Sequence, residues 1–165
     1  MTACSAQTEH VVETAIGGCL RLESDYSTAV TTHMNAPLRD NVLRAAAEIR
    51  IDDLDDLDEL DRLLDEIKTA FDKRNAYVHR SWCRHPDTGE CFTVDIEARG
   101  SVDQLVPIIV DQIKADAARI YDAGMSLMTF LAARKLLPTL PAARRERAHK
   151  TKAARKKRRK KLLAT

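Results

Sequence analysis

Aromatic residues are scarce in this chain: three Phe, three Tyr and one Trp among 165 residues, 4% in all. Glycine and proline are equally thin, five of each, too few for a loop-rich β-sandwich, a collagen repeat or a disordered linker. No run approaches the ~20 apolar residues that a bilayer span needs, so no membrane association is expected. The opening MTACSAQTEH has neither a basic flank nor an apolar run, and no secretory leader is expected. Cys4, Cys19, Cys83 and Cys91 are too dispersed for a disulfide framework. They are expected as thiols in a reducing compartment, the cytoplasm. What is abundant is Ala and Leu, with 44% hydrophobic and 32% charged residues. That composition suits one ordinary helical domain with appendages.

Charge is divided rather than lacking. Residues 142–165 hold twelve Lys or Arg and one acid, a net of +11, which leaves −9 on residues 1–141. An acidic body carries a basic tail, and residues 1–7 are expected to lie outside the folded part.

Periodicity predicts helices. Over residues 8–34, Val12, Ile16, Cys19, Glu23, Tyr26 and Val30 recur at steps of three and four, one face of a helix. Gly17 and Gly18 weaken it, and Glu23 interrupts its apolar seam. Pro37 suits the first turn of a second helix whose inward positions are Leu38, Val42, Ala45 and Ile49. Seven acids crowd residues 52–61, where they complement the positive end of a helix dipole. From there Leu57, Leu60, Leu64, Ile67, Phe71, Arg74 and Val78 keep a strict 3-4 alternation, predicting a long helix over 55–81.

His85-Pro86-Asp87-Thr88-Gly89 has turn composition. Phe92, Val94 and Ile96 then alternate with Thr93, Asp95 and Glu97, a short half-buried strand that pairs back on residues 81–84 as a hairpin. Ser101-Val-Asp-Gln104 has capping-box form and opens a last long helix. Its inward positions are Leu105, Ile109, Ile113, Ala117, Ile120, Leu127 and Leu131, and Pro138 and Pro141 end it. The expected fold over residues 8–141 is all-α. It is a small bundle of three to four helices with a short β-hairpin between the last two long ones.

Chemistry concentrates late in the 55–81 helix, in Arg74-Asn75-Ala76-Tyr77-Val78-His79. Arg74 falls on the apolar seam, where a charge costs several kcal/mol unless partnered or placed at an interface. Asn75 and His79, four residues apart, share a face that the long Arg74 arm can reach. The plain alternative is a snorkelling arginine and a histidine favoured by the helix dipole.

The run Asp72-Lys73-Arg74-Asn75-Ala76-Tyr77-Val78-His79-Arg80-Ser81-Trp82 resembles the Arg-Asn-x-x-x-His segment of the HEPN superfamily (higher eukaryotes and prokaryotes nucleotide-binding domains). The likeness includes the apolar Val78 before the His and Trp82 after it, and it spans about residues 8–136. It implies a four-helix-type bundle that forms a homodimer, with two Arg/His pairs lining a shared groove. It also implies a metal-independent endoribonuclease that needs no cofactor. Arg74 would clamp the phosphate, His79 would be the acid and base, and Asn75 would orient them; Tyr77 receives no part. Many relatives are inactive binding modules, so fold follows from the resemblance more directly than reaction.

Other groups compete or assist. Glu23 interrupts its seam as Arg74 does, and either pairs with Arg74 as a supporting residue or points to solvent. Cys83, His85 and Cys91, with His79 nearby, could ligate zinc. They lack CxxC or HxxxH spacing, so the expectation is no metal and two packing thiols. The tail residues Arg144, Arg145, Arg147, Lys150, Lys152, Arg155, Lys156, Lys157, Arg158, Arg159, Lys160 and Lys161 are too charged to fold alone. Such a run is either a solvated appendage or a counterion-releasing ligand for RNA, or DNA, and in a eukaryotic host a nuclear-import signal. Without aromatics, its binding would be sequence-tolerant.

Two functions therefore stand: a homodimeric ribonuclease whose tail tethers substrate, and a non-catalytic RNA- or nucleotide-binding module. A chain ending at Pro141 is expected to match the full chain in helicity and melting temperature. It should bind nucleic acid more weakly, with a shallower dependence on salt. Equal binding by both chains at every salt concentration would remove the tail from the interaction.

Overall fold

The computed structural model describes residues 1–96 and 102–140. The described residues form five helices, α1 (Thr2–Cys19), α2 (Ser24–Thr31), α3 (Ala36–Arg50), α4 (Leu54–His79) and α5 (Val110–Ala133), of which α1, α3, α4 and α5 supply one apolar core. Between α4 and α5 lie β1 (Ser81–Arg84), β2 (Cys91–Ile96) and β3 (Val102–Pro107), an antiparallel sheet in that order. The protein is mostly helical, as its periodicity predicts, but the third strand means it is not a pure bundle. Among the described residues no helix is long and apolar enough to cross a membrane.

α1 begins at Thr2, so residues expected to lie outside the fold form its first turns, and Ser5 and Thr8 are fully buried. The helix expected to run to residue 34 stops after Cys19. Arg21 takes the left-handed conformation (φ 54°), its N–H bonding the Gly18 carbonyl at 3.1 Å and that of Leu22 the Gly17 carbonyl at 2.8 Å. This is the glycine-type helix stop, built here with arginine. α2 then folds back, Ser27 Oγ donating to the Glu13 carbonyl at 3.0 Å, and Tyr26 and Val30 face outward instead of inward.

α3 starts as expected, with Asn35 Oδ1 accepting from the Leu38 N–H at 2.9 Å and Pro37 in the first turn. Its inward face differs from the expected one. Arg39 pairs with Glu13 at 2.9 Å and Glu9 at 3.5 Å on α1. That roll buries Leu43, Ala46 and Ala47 and leaves Ile49 86% exposed. In α4 the expected stripe is buried at Leu60, Leu64 and Ile67, and its acidic opening finds cations. Asp53 Oδ1 caps the Asp56 N–H at 3.0 Å, while Arg44 bridges Asp40, Asp61 and Asp65 and Arg134 meets Asp56.

The helix expected to open at Ser101 begins nine residues later, at Val110. Pro107 explains the difference, because it lacks an N–H and disfavours helix in the residue before it. The segment instead extends as β3, pairing Val94 with Leu105 and Thr93 with Val106. Ser101 itself lies outside the described residues. α5 ends at Ala133, ahead of Pro138. Lys135 (φ 56°) repeats the α1 device, its N–H bonding the Ala132 carbonyl at 3.2 Å and that of Leu136 the Leu131 carbonyl at 2.8 Å. Leu136 turns back into the core, 4% exposed.

α1 and α5 run in the same direction and approach closely. Thr8 Oγ1 donates to the Ile120 carbonyl at 2.8 Å. A side chain at Gly124 would meet Thr8 Oγ1 at 2.6 Å, and one at Gly18 would meet the Leu136 carbonyl oxygen at 1.7 Å. Nearby, burial pushes the Cys19 thiol up to about 11 against the opposing charge of Arg50, so it stays protonated and apolar. Gly18→Ala is expected to lower unfolding stability by about 3 kcal/mol, because the obstacle is backbone and not a side chain free to move. A urea unfolding midpoint unchanged from wild type would contradict this packing.

Candidate active site

Arg74 comes next on the buried stripe of α4 after Phe71, where the core gives way to solvent, and it is half-buried. Its Nη1 donates to Asn75 Oδ1 at 2.9 Å. Its Nε is buried and has no hydrogen-bond partner among the described residues. His79 is exposed at the last position of α4, and Val78, expected inward, is 52% exposed. Arg74 and His79 lie five residues apart, roughly 140° around a helix, whereas Asn75 and His79 share a face. One protomer therefore brings Arg74 to Asn75 and sets His79 one turn beyond Asn75.

Glu23 is elsewhere. It caps α2 and bridges Thr139, the Ser24 N–H bonding the Thr139 carbonyl at 3.1 Å. Arg134, five residues before Thr139, pairs with Asp56 at the opening of α4. Glu23 thus belongs to the opposite end of the bundle from Arg74, and within one protomer it does not support that residue.

The cysteines are also separated. Cys83 lies opposite Phe92, and Arg84 opposite Cys91. Successive strand residues face opposite sides, so Cys83 and Cys91 point to different faces of the sheet. Both are exposed free thiols, neither packing residues nor a pair. His85 Nδ1 accepts from the Asp87 and Thr88 N–H groups at 3.3 Å, which fastens the turn. Among the described residues no group of three or more His, Cys, Asp or Glu gathers as a metal site. The twelve tail cations from Arg144 to Lys161 lie outside the described residues.

The best-connected polar group here is Asp116, which periodicity alone leaves unnoticed. It is 3% exposed on α5 and accepts from Tyr77 Oη at 2.9 Å, Arg119 Nη1 at 3.1 Å and Gln112 Nε2 at 3.2 Å, with Lys73 Nζ at 3.8 Å. Burial by itself would raise its pKa. The bonds from Tyr77 and Gln112 and the charges of Lys73 and Arg119 outweigh that and hold it below the ordinary aspartate value of 3.8. Tyr77 is pushed up, first by burial, then by donating to Asp116 and by that carboxylate's charge. The signal was present in the sequence: Asp116 stands three residues after Ile113 and four before Ile120, on the inward stripe.

Tyr77, Asp116, Lys73, Arg80 and Gln112 line a cleft of about 300 Å³ floored by Thr93, which is 3% exposed. Thr93 faces inward while Phe92 and Val94 are half-exposed, reversing the expected burial of β2. Tyr77 is held twice. Its hydroxyl binds Asp116, and its carbonyl accepts from Trp82 Nε1 at 2.8 Å. The last two turns of α4, which carry Asn75 and His79, are therefore pinned to both α5 and β1.

Comparison of the chain with protein-family models, with curated proteins and with solved structures finds no match.

Because the Asp116 carboxyl is depressed in the folded state, its stabilising contribution is complete at neutral pH. It is lost as pH falls through 3.8 toward the folded value. The stability gap between wild type and Asp116→Asn, measured by thermal unfolding, is expected to be wide at pH 7 and to close below that range. Tyr77→Phe is expected to cost about 1 kcal/mol at pH 7. A gap that widens on acidification would contradict the assignment.

Proposed function

We propose that this protein is a metal-independent endoribonuclease of the HEPN type, acting as a homodimer, with Arg74, Asn75 and His79 at a shared groove. The basic residues of 142–165 tether RNA. One observation carries this reading. Arg74 is half-buried and, among the described residues, its Nε is unpartnered and its only hydrogen bond goes to the neutral Asn75 oxygen at 2.9 Å. A guanidinium so placed is costly unless an anion completes it, and a phosphate fits its planar fork.

The chemistry follows from the side chains. The ribose 2′-oxygen attacks the adjacent phosphorus while the bond to the 5′-oxygen breaks. An imidazole takes the 2′-hydroxyl proton and an imidazolium protonates the leaving oxygen, one from each copy. Arg74 stabilises the charge that develops on the non-bridging oxygens, and Asn75 Oδ1 fixes the guanidinium's direction. The products are a 2′,3′-cyclic phosphate and a 5′-hydroxyl. Tyr77 and Asp116 act by holding the last turn of α4.

A second reading has its own support. His79 is exposed, and no hydrogen bond among the described residues orients its ring. A catalytic imidazole usually has such a partner. This feature favours a non-catalytic nucleic-acid-binding module.

His79→Ala is expected to abolish RNA cleavage while leaving circular dichroism and dimer mass unchanged. Arg74→Ala is also expected to abolish it, and Arg74→Lys to restore little, because a point charge lacks the fork. Incubation with total RNA, with and without chelator, followed by analysis of the cleaved ends, makes the test. Activity surviving His79→Ala would remove the mechanism, and a monomer by light scattering would remove the shared groove. A dimer that binds RNA and leaves it intact would establish the binding module instead.

A further inference from the structure

Trp82 is the only tryptophan in the chain and the second residue of β1, three positions beyond His79. Indole rings are usually well covered, yet this one is 54% exposed. Its Nε1 donates at 2.8 Å to the Tyr77 carbonyl, one of the acceptors that a helix end leaves without an intrahelical partner. One edge of the ring is thus fixed to α4 while more than half of its surface stays open to solvent.

The stretch of chain that carries it is basic, although Asp72 and Asp87 flank it and Lys73 pairs with Asp116. Residues 73–86 contain four Lys or Arg, two His and no acid, within a body whose net charge is −9. Arg84, two residues along β1, lies on the same face of the sheet as Trp82. Its Nε donates to the neutral Gly89 carbonyl at 3.1 Å, as Arg74 donates to Asn75. Neither bond neutralises its guanidinium. A fixed, exposed aromatic ring on the same face as a guanidinium that bonds a neutral oxygen matches the two parts of an unpaired nucleotide, a flat base and an anionic phosphate. Because the ring is already held, stacking on it costs little rotamer freedom. A duplex, whose bases are stacked on one another, offers no such face.

We propose that Trp82 is a stacking platform for an unpaired nucleobase, with Arg84 directed to the neighbouring phosphate. The proposed ribonuclease would then act on single-stranded RNA. The inference rests on that ribonuclease reading only for the cleavage that follows, not for the binding.

The lone tryptophan is its own probe. The full chain is titrated at raised salt, which weakens the tail's electrostatic contribution. The ligand is a thymidine DNA of about twelve nucleotides, within the usual span of such sites. It lacks the 2′-hydroxyl and therefore stays intact. The same strand annealed to its complement is the control, and anisotropy of the labelled strand reports binding independently. The single strand is expected to quench Trp82 emission saturably and the duplex to leave it unchanged. Trp82→Ala is expected to weaken single-strand binding about 5- to 150-fold, and Trp82→Phe much less. Should Trp82→Ala lose its helical circular dichroism, the wild-type emission decides alone.

Binding without quenching, equal quenching by the duplex, or absence of binding would overturn the platform. So would emission that shifts with protein concentration but not with nucleic acid, since that marks Trp82 as a contact between copies. Quenching together with uncleaved RNA would leave the platform standing and remove the ribonuclease. RNA cleavage without quenching would do the reverse.

Discussion

The close approach of α1 and α5 is the constraint on which the other elements depend. Gly18 leaves no room for a Cβ against the Leu136 carbonyl, and Gly124 leaves little against Thr8. The Thr8 hydroxyl, bonded to the Ile120 carbonyl at 2.8 Å, turns what would be a buried polar cost into an axial register. With α5 fixed in this way, Asp116 is delivered to the last turns of α4 and Arg134 to its first. The small-residue seam thus determines where the polar groups at both ends of α4 find partners.

α4 is polarised along its length. Its opening carries Asp55 and Asp56 beside the Asp53 cap, and its final turns carry Lys73, Arg74 and His79. Both ends complement the helix dipole, but they are used differently. The acids are met by Arg44, Arg62 and Arg134. These pairs are mostly exposed and each contributes little, so they chiefly prevent like-charge repulsion. At the other end Asp116 gathers Tyr77, Gln112 and Arg119, while Arg74 and Arg84 bond neutral oxygens.

Legibility in the sequence followed the strength of the local pattern. α4 was readable almost to the residue, because its inward positions from Leu57 to Phe71 keep one spacing and an Asp marks the start. The hairpin was readable from alternation and turn composition. Leu38 and Ile49 misled because the Arg39 ion pairs, not the larger side chains, set the roll of α3. The ends of α1 and α5 were illegible for a related reason. Arg21 and Lys135 occupy a conformation that glycine usually marks, so no residue type announced the stop. β3 was signalled by Pro107, against a capping box that suggested helix. At the candidate site the shared face of Asn75 and His79 was legible from spacing, whereas the bond from Arg74 to Asn75 was suggested only by the family resemblance. The Tyr77–Asp116 bond was not legible, because it joins residues 39 positions apart.

The exit of the chain has a metric consequence. Leu136 is anchored in the core and Thr139 bridges Glu23, so the last described residue, Leu140, departs from the end of the bundle where α4 begins. Eighteen residues of α4 separate Asp56 from Arg74, about 27 Å at the helical rise. A strand gripped at both the root of the basic tail and the Arg74 end of one protomer must be longer than this. The body would then act as a ruler, engaging short fragments at one point and long strands at two.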